Sequence, residues 1–389
     1  MRPLPSALAA FAALLLANPV PAQESLADLL ADPAVRLSRP ADRAQVVARM
    51  AEIENERREE ARAKAAAMGL PLRTVHPNGR VLEIAAFKGV RPLYRTTHNT
   101  NAAISTGANL LRTSPYSLSG SGVTIGLWDG GSARSSHQEF GGRVSVMDGS
   151  AAGDHATHVG GTLIATGVNA SARGMAHAAT VNSYDWNSDS SEMLSRGATY
   201  AGEPGKIYLS NHSYGYITGW NYVGSPSRMW EWWGSGTTST GIETEYGVYN
   251  SYVRDHDALA YDAPYYLIFR SAGNDRADNP STGDPIGLSP GGGSTVSYTP
   301  ANHPAGDGVY RGGFDTIAFE ALAKNVMTVG SAADAVTSGQ RDPSKANVSS
   351  FSCWGPTDDG RIKPDVVANG EALFSSLAGS NSSYGTYSG

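Results

Sequence analysis

Val123-Thr124-Ile125-Gly126-Leu127-Trp128-Asp129-Gly130-Gly131 is a short apolar run that ends in a carboxylate and two glycines. Its near-continuous apolarity is typical of a strand that is buried on both faces of a parallel sheet. The two glycines allow the backbone to turn sharply directly after Asp129. Similar apolar runs recur along the chain at Thr180 to Trp186, Ile207 to Asn211, Tyr265 to Phe269, Val326 to Val329 and Val366 to Ala368.

Helix-compatible stretches lie between several of these runs, for example His155 to Thr166 and Tyr246 to Leu259. Strands that alternate with helices predict an α/β fold, with a doubly wound, mostly parallel sheet and helices on both faces. Ligands of such sheets bind beyond the carboxyl ends of the strands, so functional residues should follow the apolar runs. Asp275 to Gly313 is rich in Gly, Pro and Asp and has no periodicity, which predicts a long surface loop or insertion.

Asp154-His155-Ala156-Thr157-His158 opens one of the helical stretches. The imidazole of His155 is therefore expected at the start of a helix. His155 and His158 are three residues apart and could share one helical face and bind a metal ion. The segment lacks the His-Glu-x-x-His pattern of zinc proteases, and no third ligand is evident. We therefore expect no metal ion at this site.

Two further strand ends carry polar residues. Ser271-Ala272-Gly273-Asn274 follows one apolar run, and the side-chain amide of Asn274 could donate to a developing oxyanion, although asparagine is also common in turns. Asn211 to Gly215 follows another run and could offer backbone donors and acceptors to an extended peptide, adding it as a strand.

Taken together, these segments resemble the subtilase family of serine proteases, closest to a bacterial extracellular subgroup. The matching blocks occur in family order from about Gly120 to Gly389. The Asp129 segment resembles the aspartate block of the family, although Gly130 stands where serine or threonine is usual. Phe351 to Ala368 resembles a later framework block, and we interpret it as structural, a turn followed by a strand.

The histidine block of the family reads His-Gly-Thr-His-Val-Ala-Gly-Thr. The segment that begins at His155 resembles it, with Ala156 and Gly160 as departures. The alignment identifies His155, not His158, as the catalytic histidine.

The resemblance implies a set of site residues. The implied catalytic residues are Asp129, which orients the imidazole, His155, which acts as general base, and Asn274, which donates to the oxyanion. The implied substrate-binding residues are Asn211, Ser213, Gly215, Ser271 and Gly273. The preference of the primary side-chain pocket cannot be predicted, because its far wall does not align.

The nucleophile of the family lies in Ser-Gly-Thr-Ser-Met-Ala at the start of a helix. The chain ends Tyr384-Gly-Thr-Tyr-Ser388-Gly389 and matches only the first two residues of that block. The resemblance therefore places the nucleophilic serine two residues beyond Gly389, and Ser388 is not the nucleophile. We expect the chain as given to be inactive and its peptidase domain, residues 116–389, to be incomplete at the C-terminus.

The N-terminal region has the pattern of an exported protein. Arg2, the apolar run from Ala7 to Ala17 and Val20-Pro21-Ala22 predict a signal peptide over residues 1–22, and hence secretion. Residues 23–115 are expected to be an N-terminal extension or a removable pro-segment. Within it, Pro40 to Met68 predicts a helix that ends before Gly69 and Pro71.

Composition limits the partners of the protein. The formal net charge is −6 and there is no long basic run, which argues against nucleic acid or an anionic membrane as partner. Cys353 is the single cysteine, so no intramolecular disulfide can form. We expect a monomer that acts on polypeptides and requires no cofactor.

Two features leave alternatives open. Calcium is often bound in the family, and Asp275, Asp278 and Asp284 are candidate oxygen ligands, although the pattern favours aspartates of a surface loop over calcium ligands. A non-catalytic peptide-binding or glycan-binding module is the alternative function. It would use an aromatic platform made of Trp220, Trp230, Trp232 and Trp233.

Overall fold

The structure is a computed structural model, and it describes residues 25–75, 81–88, 91–97, 103, 105–289, 292–338 and 340–389. The predicted signal peptide lies outside the described residues. The helices are α1 (Leu26–Leu30), α2 (Pro40–Ala67), α3 (Ala108–Leu111), α4 (Asp154–Ile164), α5 (Asp189–Arg196) and α6 (Ser251–Asp262). None of the described helices is both long and apolar enough to cross a membrane.

The strands fall into a central sheet and several smaller ones. In chain order they are β1 (Arg73–Val75), β2 (Val81–Lys88), β3 (Arg91–Thr97), β4 (Thr124–Asp129), β5 (Val144–Val146), β6 (Thr180–Asp185), β7 (Leu209–His212), β8 (Tyr214–Tyr216), β9 (Trp220–Ser225), β10 (Arg228–Trp232), β11 (Leu267–Ser271), β12 (Pro285–Ser289), β13 (Gly292–Ser297), β14 (Met327–Ala332), β15 (Val336–Thr337), β16 (Gln340–Arg341), β17 (Val366–Asn369), β18 (Leu373–Ser376) and β19 (Tyr384–Tyr387).

Seven strands form the central sheet in the order β17-β14-β11-β7-β4-β6-β5, and every neighbouring pair is parallel. The chain starts this sheet at β4, adds β5 and β6 on one side, and then crosses to β7 on the other side. The order therefore reverses between β4 and β7, which is where a doubly wound sheet binds its ligands. The predicted fold class is confirmed.

Helices cover both faces of the central sheet. Ile125 and Leu127 of β4 pack in one cluster with Val159 and Ile164 of α4. Trp128 of β4 points to the opposite face and packs in the main hydrophobic cluster, which includes residues of α5 and α6. Successive side chains of a strand alternate between the two faces, so β4 is buried on both.

The structure contains both predicted helices of the central domain, but the second begins later in the chain than predicted. The helix expected from Tyr246 begins five residues later, at Ser251. Asn250 explains the shift, because its side chain accepts a hydrogen bond from the amide of Val253 at 3.2 Å and so caps the helix.

The N-terminal extension packs on the central domain. The predicted helix is confirmed as α2, and Gly69 follows it with a φ of +67°, a left-handed conformation typical of glycine after a helix. Val46, Met50 and Ile53 of α2 are buried in the main hydrophobic cluster together with residues of α5. These three apolar side chains of α2 are thus covered by the central domain.

The expected loop from Asp275 to Gly313 is only partly a loop, which corrects the prediction. It contributes β12 and β13 to a separate sheet of order β13-β12-β10-β9. Ile286 of β12 is fully buried against Trp220 and Trp232. The other partner of β12 is β10, which lies far earlier in the sequence, so local periodicity alone did not predict this sheet.

The aromatic cluster is largely internal. Trp220, Trp232 and Trp233 are 0%, 3% and 1% exposed, and Trp230 is partly buried. A platform for glycans or peptides needs exposed rings, so these indoles act as core side chains of the small sheet and its surroundings.

Candidate active site

Asp129 is the last residue of β4 and lies at the carboxyl edge of the central sheet. The alternation of the strand places its side chain on the same face as Ile125 and Leu127, the face covered by α4. The carboxylate is 0% exposed. Its Oδ1 accepts the amide of Gly130 at 2.7 Å, so the turn after the strand helps to hold it.

A close backbone approach brings α4 to this edge. Gly131 has a φ of +133°, and a Cβ atom there would lie 2.9 Å from the carbonyl oxygen of Ala151. Only glycine therefore fits easily between the turn after β4 and the segment that leads into α4. That segment ends at Gly153, the residue directly before the first turn of the helix.

His155 lies in that first turn of α4, as predicted, and is 6% exposed. Its Nδ1 is 2.8 Å from Oδ1 and 2.9 Å from Oδ2 of Asp129. A carboxylate at this position favours the tautomer that carries its proton on Nδ1 and leaves Nε2 as the base. Nε2 is buried and has no hydrogen-bond partner among the described residues. The structure thus contains a carboxylate–imidazole pair in which Nε2 of the imidazole accepts no hydrogen bond from a described residue.

His158 has a different environment. Its Nε2 lies 3.1 Å from the carbonyl oxygen of Leu373, and its ring stacks on Tyr387 at 4.7 Å. Burial, with a smaller contribution from His155, lowers the pKa of His158 to about 3. It therefore stays neutral at ordinary pH. Within the described part of the chain, no three His, Cys, Asp or Glu side chains form a group suited to a metal ion.

Asn274 lies three residues after the end of β11 and lines a cavity of about 360 Å³. The side-chain amide of Asn274 makes no hydrogen bond to any described residue. Asn211, Ser213, Ser271 and Gly273 line the same cavity. The structure therefore brings four of the five predicted substrate-binding residues together with the predicted oxyanion donor.

The remaining predicted residue, Gly215, belongs to β8 and lines a second cavity. Ser271 and Gly273 also line this cavity. Its lining further includes residues that the sequence did not identify, among them Thr316, Ala318 and Glu320. They follow the insertion that contains β12 and β13, where no motif fixes the alignment, so no sequence signal could have found them.

The backbone edge of β8 is already paired. Strand β3 of the extension runs antiparallel to it, with Thr96 opposite Gly215 and Arg95 opposite Tyr216. The predicted ability of this segment to add a strand is therefore used by the chain's own N-terminal region.

The sequence of residues 120–389 matches the family model described as Peptidase_S8, subtilase family. The chain belongs to the subtilase family. Subtilases are serine proteases, so the carboxylate–imidazole pair is the candidate catalytic site of this subtilase. No match was found among curated proteins.

Solved structures of subtilisin-like proteases resemble this subtilase. The CspB protease of Clostridium perfringens is 15% identical, with a TM-score of 0.45 over 74% of this chain and 83% of that one. A cold-adapted subtilisin-like serine proteinase is 19% identical, with a TM-score of 0.34 over 70% and 71%. The prenylagaramide maturation protease PagA is 13% identical, with a TM-score of 0.37 over 69% of each chain.

The three candidate calcium ligands of the subtilase have different environments. Asp284 accepts hydrogen bonds from the indole of Trp230 at 3.0 Å and from the amide of Ser281 at 2.8 Å. Asp275 lines the second cavity. Among the described residues, neither these two aspartates nor Asp278 belong to a group of three or more His, Cys, Asp or Glu side chains suited to a metal ion.

A side chain that the sequence did not single out supports the end of β4. The Nε1 atom of Trp128 donates to Oε2 of Glu192 at 2.8 Å. Burial raises the pKa of Glu192 to about 8, against the opposing effect of this hydrogen bond. The indole also stacks on Tyr184 at 4.4 Å. Trp128 is therefore fixed by contacts on two sides, directly before Asp129.

Proposed function

We propose that the full-length protein is a secreted serine endopeptidase that cleaves peptide bonds through an acyl-enzyme. The observation that carries the proposal is the contact between Asp129 and Nδ1 of His155, with Nε2 of His155 buried and unbonded. This is the arrangement that a general base needs before a nucleophile is added. Subtilases are commonly extracellular, and the apolar N-terminus with its small-residue cleavage site supports export.

In the proposed mechanism, Nε2 of His155 takes the hydroxyl proton of the serine as the serine oxygen attacks the substrate carbonyl. Asp129 stabilises the imidazolium that forms. His155 then returns the proton to the leaving amine, and water hydrolyses the acyl-enzyme by the same steps. The tetrahedral oxyanion accepts hydrogen bonds from the amide of Asn274 and from the backbone of the serine.

We further propose that the nucleophilic serine follows Gly389 in the full-length protein, as the family pattern implies. The position of the last residues supports this. Gly389 lines the cavity that also contains Asn274, and its amide donates to the carbonyl of Gly370 at 2.9 Å. Two residues span at most about 7 Å, so a serine at that distance in the sequence would stay close to this cavity.

The substrate is proposed to bind as an extended peptide along β8. The antiparallel pairing of β3 with β8 supports this mode, because β3 is itself an extended peptide at that edge. The side chain that precedes the cleaved bond would lie between Gly215 and the segment Ser271–Gly273, as the family pattern implies; both line one small cavity.

The proposal predicts that full-length secreted protein hydrolyses casein. A serine-directed organophosphate should abolish the activity, whereas a zinc chelator should leave it unchanged. Activity that survives the organophosphate but is lost with the chelator would contradict the proposal. A reading frame that continues after Gly389 without Thr-Ser-Met-Ala or a close variant would contradict the placement of the nucleophile.

We propose that residues 23–115 include a removable, inhibitory pro-segment rather than a plain extension. Two contacts near the active site support this. Strand β3 occupies the edge of β8, and the guanidinium of Arg73 donates to the carbonyl of Gly130, the residue directly after Asp129. A segment held there competes with any substrate that needs the same edge.

Contacts farther along α2 hold the extension in place. Helix α5 has no side-chain cap of its own. Glu54 of α2 supplies it, accepting the amides of Ser190 at 3.0 Å and Ser191 at 3.3 Å. Arg43 forms a buried ion pair with Glu203 at 2.9 Å. A carboxylate at a helix N-terminus contributes roughly 0.5–2 kcal/mol.

Replacing Glu54 by alanine should therefore weaken inhibition by the extension. With the separated extension added to processed enzyme, we expect the inhibition constant of the Glu54→Ala extension to rise roughly tenfold, because the amides of α5 lose their acceptor. Glu52→Ala is the matched control, since Glu52 lies on the exposed side of the same helix. Equal inhibition constants for the two variants would contradict the assigned contact.

A further inference from the structure

A second segment contacts the loop that carries Asn274. The amide of Cys353 donates to the carbonyl of Gly273 at 3.0 Å, and Sγ of Cys353 accepts the amide of Asp275 at 3.3 Å. These two hydrogen bonds lie on either side of Asn274. Cys353 is 1% exposed, and burial raises the pKa of its thiol well above the usual value, so the sulfur remains a neutral thiol.

The fit around the sulfur is close. Gly273 has a φ of +108°, and a Cβ atom there would lie 3.1 Å from Sγ of Cys353. The backbone of the loop Gly273 to Asp275, which we call the oxyanion loop, therefore lies directly against the thiol. The position of this loop thus depends on the position of the sulfur.

Arg276 fixes the same loop two residues after Asn274. Its Nε donates to the carbonyl of Ser352 at 2.7 Å, and its Nη2 donates to the carbonyl of Ser349 at 3.1 Å. The guanidinium lies 3.9 Å from the ring centre of Trp354. Two hydrogen bonds and a cation–π contact restrict both the distance and the tilt of the loop.

The contacting segment is itself held on its other side. The carbonyl of Trp354 accepts the amide of Thr316 at 2.9 Å, and the amide of Trp354 donates to Oγ1 of Thr316 at 3.2 Å. Thr316 also lines the second cavity. The segment that contains Cys353 and Trp354 thus contacts both the loop that carries Asn274 and Thr316.

We propose that Cys353 and Arg276 are positioning residues that hold Asn274 where its amide can donate to the oxyanion. We call the two residues, with their contacts to Gly273, Asp275 and Ser352, the oxyanion clasp. The inference rests on the proposed function, because the clasp affects turnover only if Asn274 contacts the reacting carbonyl. It assigns a role to Phe351 to Pro356, which the sequence indicated only as a structural turn.

The test is a double-mutant cycle in the full-length protein, with peptide hydrolysis as the readout. We expect Cys353→Ala to lower kcat about tenfold while KM changes less than twofold, and Cys353→Ser to recover most of the loss. In an Asn274→Ala background, Cys353→Ala should change kcat less than twofold, because the amide that it positions is gone. Arg276→Ala should behave like Cys353→Ala, and Arg276→Lys should recover part of the loss.

Thr357→Val is the control for a general loss of stability. Thr357 is 3% exposed and accepts the amide of Arg361 at 2.9 Å in the turn that follows Phe351 to Pro356. The variant should lower Tm about as much as Cys353→Ala and leave kcat unchanged. If Thr357→Val lowers kcat equally, or if the effects of Cys353→Ala and Asn274→Ala multiply independently, the clasp is overturned.

A second measurement does not depend on activity. Hydrogen exchange of the Asp275 amide should be at least tenfold faster in Cys353→Ala than in the parent protein, and unchanged in Thr357→Val. If Asn274→Ala lowers kcat but Asp275 exchanges equally in all variants, the clasp is wrong and the proposed function stands. If Asn274→Ala has no effect on hydrolysis, the oxyanion role and the clasp both fail.

Discussion

His155→Ala is expected to lower kcat of the full-length protein by roughly 10⁴-fold or more, with a much smaller change in KM. The variant removes the only nitrogen that is both oriented by Asp129 and free on its other side among the described residues. Steady-state hydrolysis of a fluorogenic peptide measures kcat and KM.

His158→Ala is the matched control, since both histidines lie on α4 and both are buried. We expect it to lower Tm, because the contacts of His158 with Leu373 and Tyr387 are lost. The kcat of the protein that remains folded should change less than tenfold. A larger loss of kcat in His158→Ala than in His155→Ala would reverse the assignment of the catalytic histidine.

Asp129→Asn is expected to lower kcat by about 10⁴-fold while the fold stays intact. Asparagine has nearly the same shape, but its amide can donate to Nδ1 of His155 and so favours the tautomer with the proton on Nε2. The imidazole then cannot accept the serine proton, and the imidazolium loses its counter-charge. Kinetics together with a circular dichroism spectrum separate this effect from unfolding.

The control for Asp129→Asn lies on the neighbouring strand. Asp185 ends β6 and stands in register with Asp129 of β4, so it occupies the equivalent position at the same sheet edge. Its carboxylate accepts the amide of Asn187 and makes no contact with His155. Asp185→Asn should retain kcat within about threefold, so an equal loss in both variants would indicate a general effect of charge at this edge.

The sequence predicted six of the seven strands of the central sheet, because each of the six carries its own apolar run, whereas the short edge strand β5 was not predicted. The run ending at Asp129 is almost continuously apolar, and two glycines mark its end. The pairing of Asp129 with His155 was predicted only through the resemblance to the subtilase family, because local pattern places one residue at a strand end and the other at a helix start without pairing them. The sheet alone follows from local pattern and the rule that parallel strands end at one edge.

Features built from distant partners were not predictable in this way. Strand β12 pairs with β10 and β13 pairs with β12, and nothing local in this glycine-rich stretch distinguishes the two strands from a loop. In the sequence, Glu54 is one of many charged residues on a solvated helix, yet it caps α5 from more than a hundred residues away. The sequence predicts Cys353 only as a small buried residue, and its proposed positioning role follows from its contact with the amide of Asp275.

Under the proposed role of residues 23–115 as an inhibitory pro-segment, the pairing of β3 with β8 determines when activity is expected. Both strands belong to one polypeptide, so β3 is present at its binding edge at an effective concentration on the order of millimolar, however dilute the protein is. After a cut between the two strands, the same pairing becomes a bimolecular equilibrium governed by bulk concentration. Release into a large volume would then dissociate the complex by mass action. After a single cleavage, dilution alone would then be sufficient to remove the proposed inhibitory strand β3 from β8.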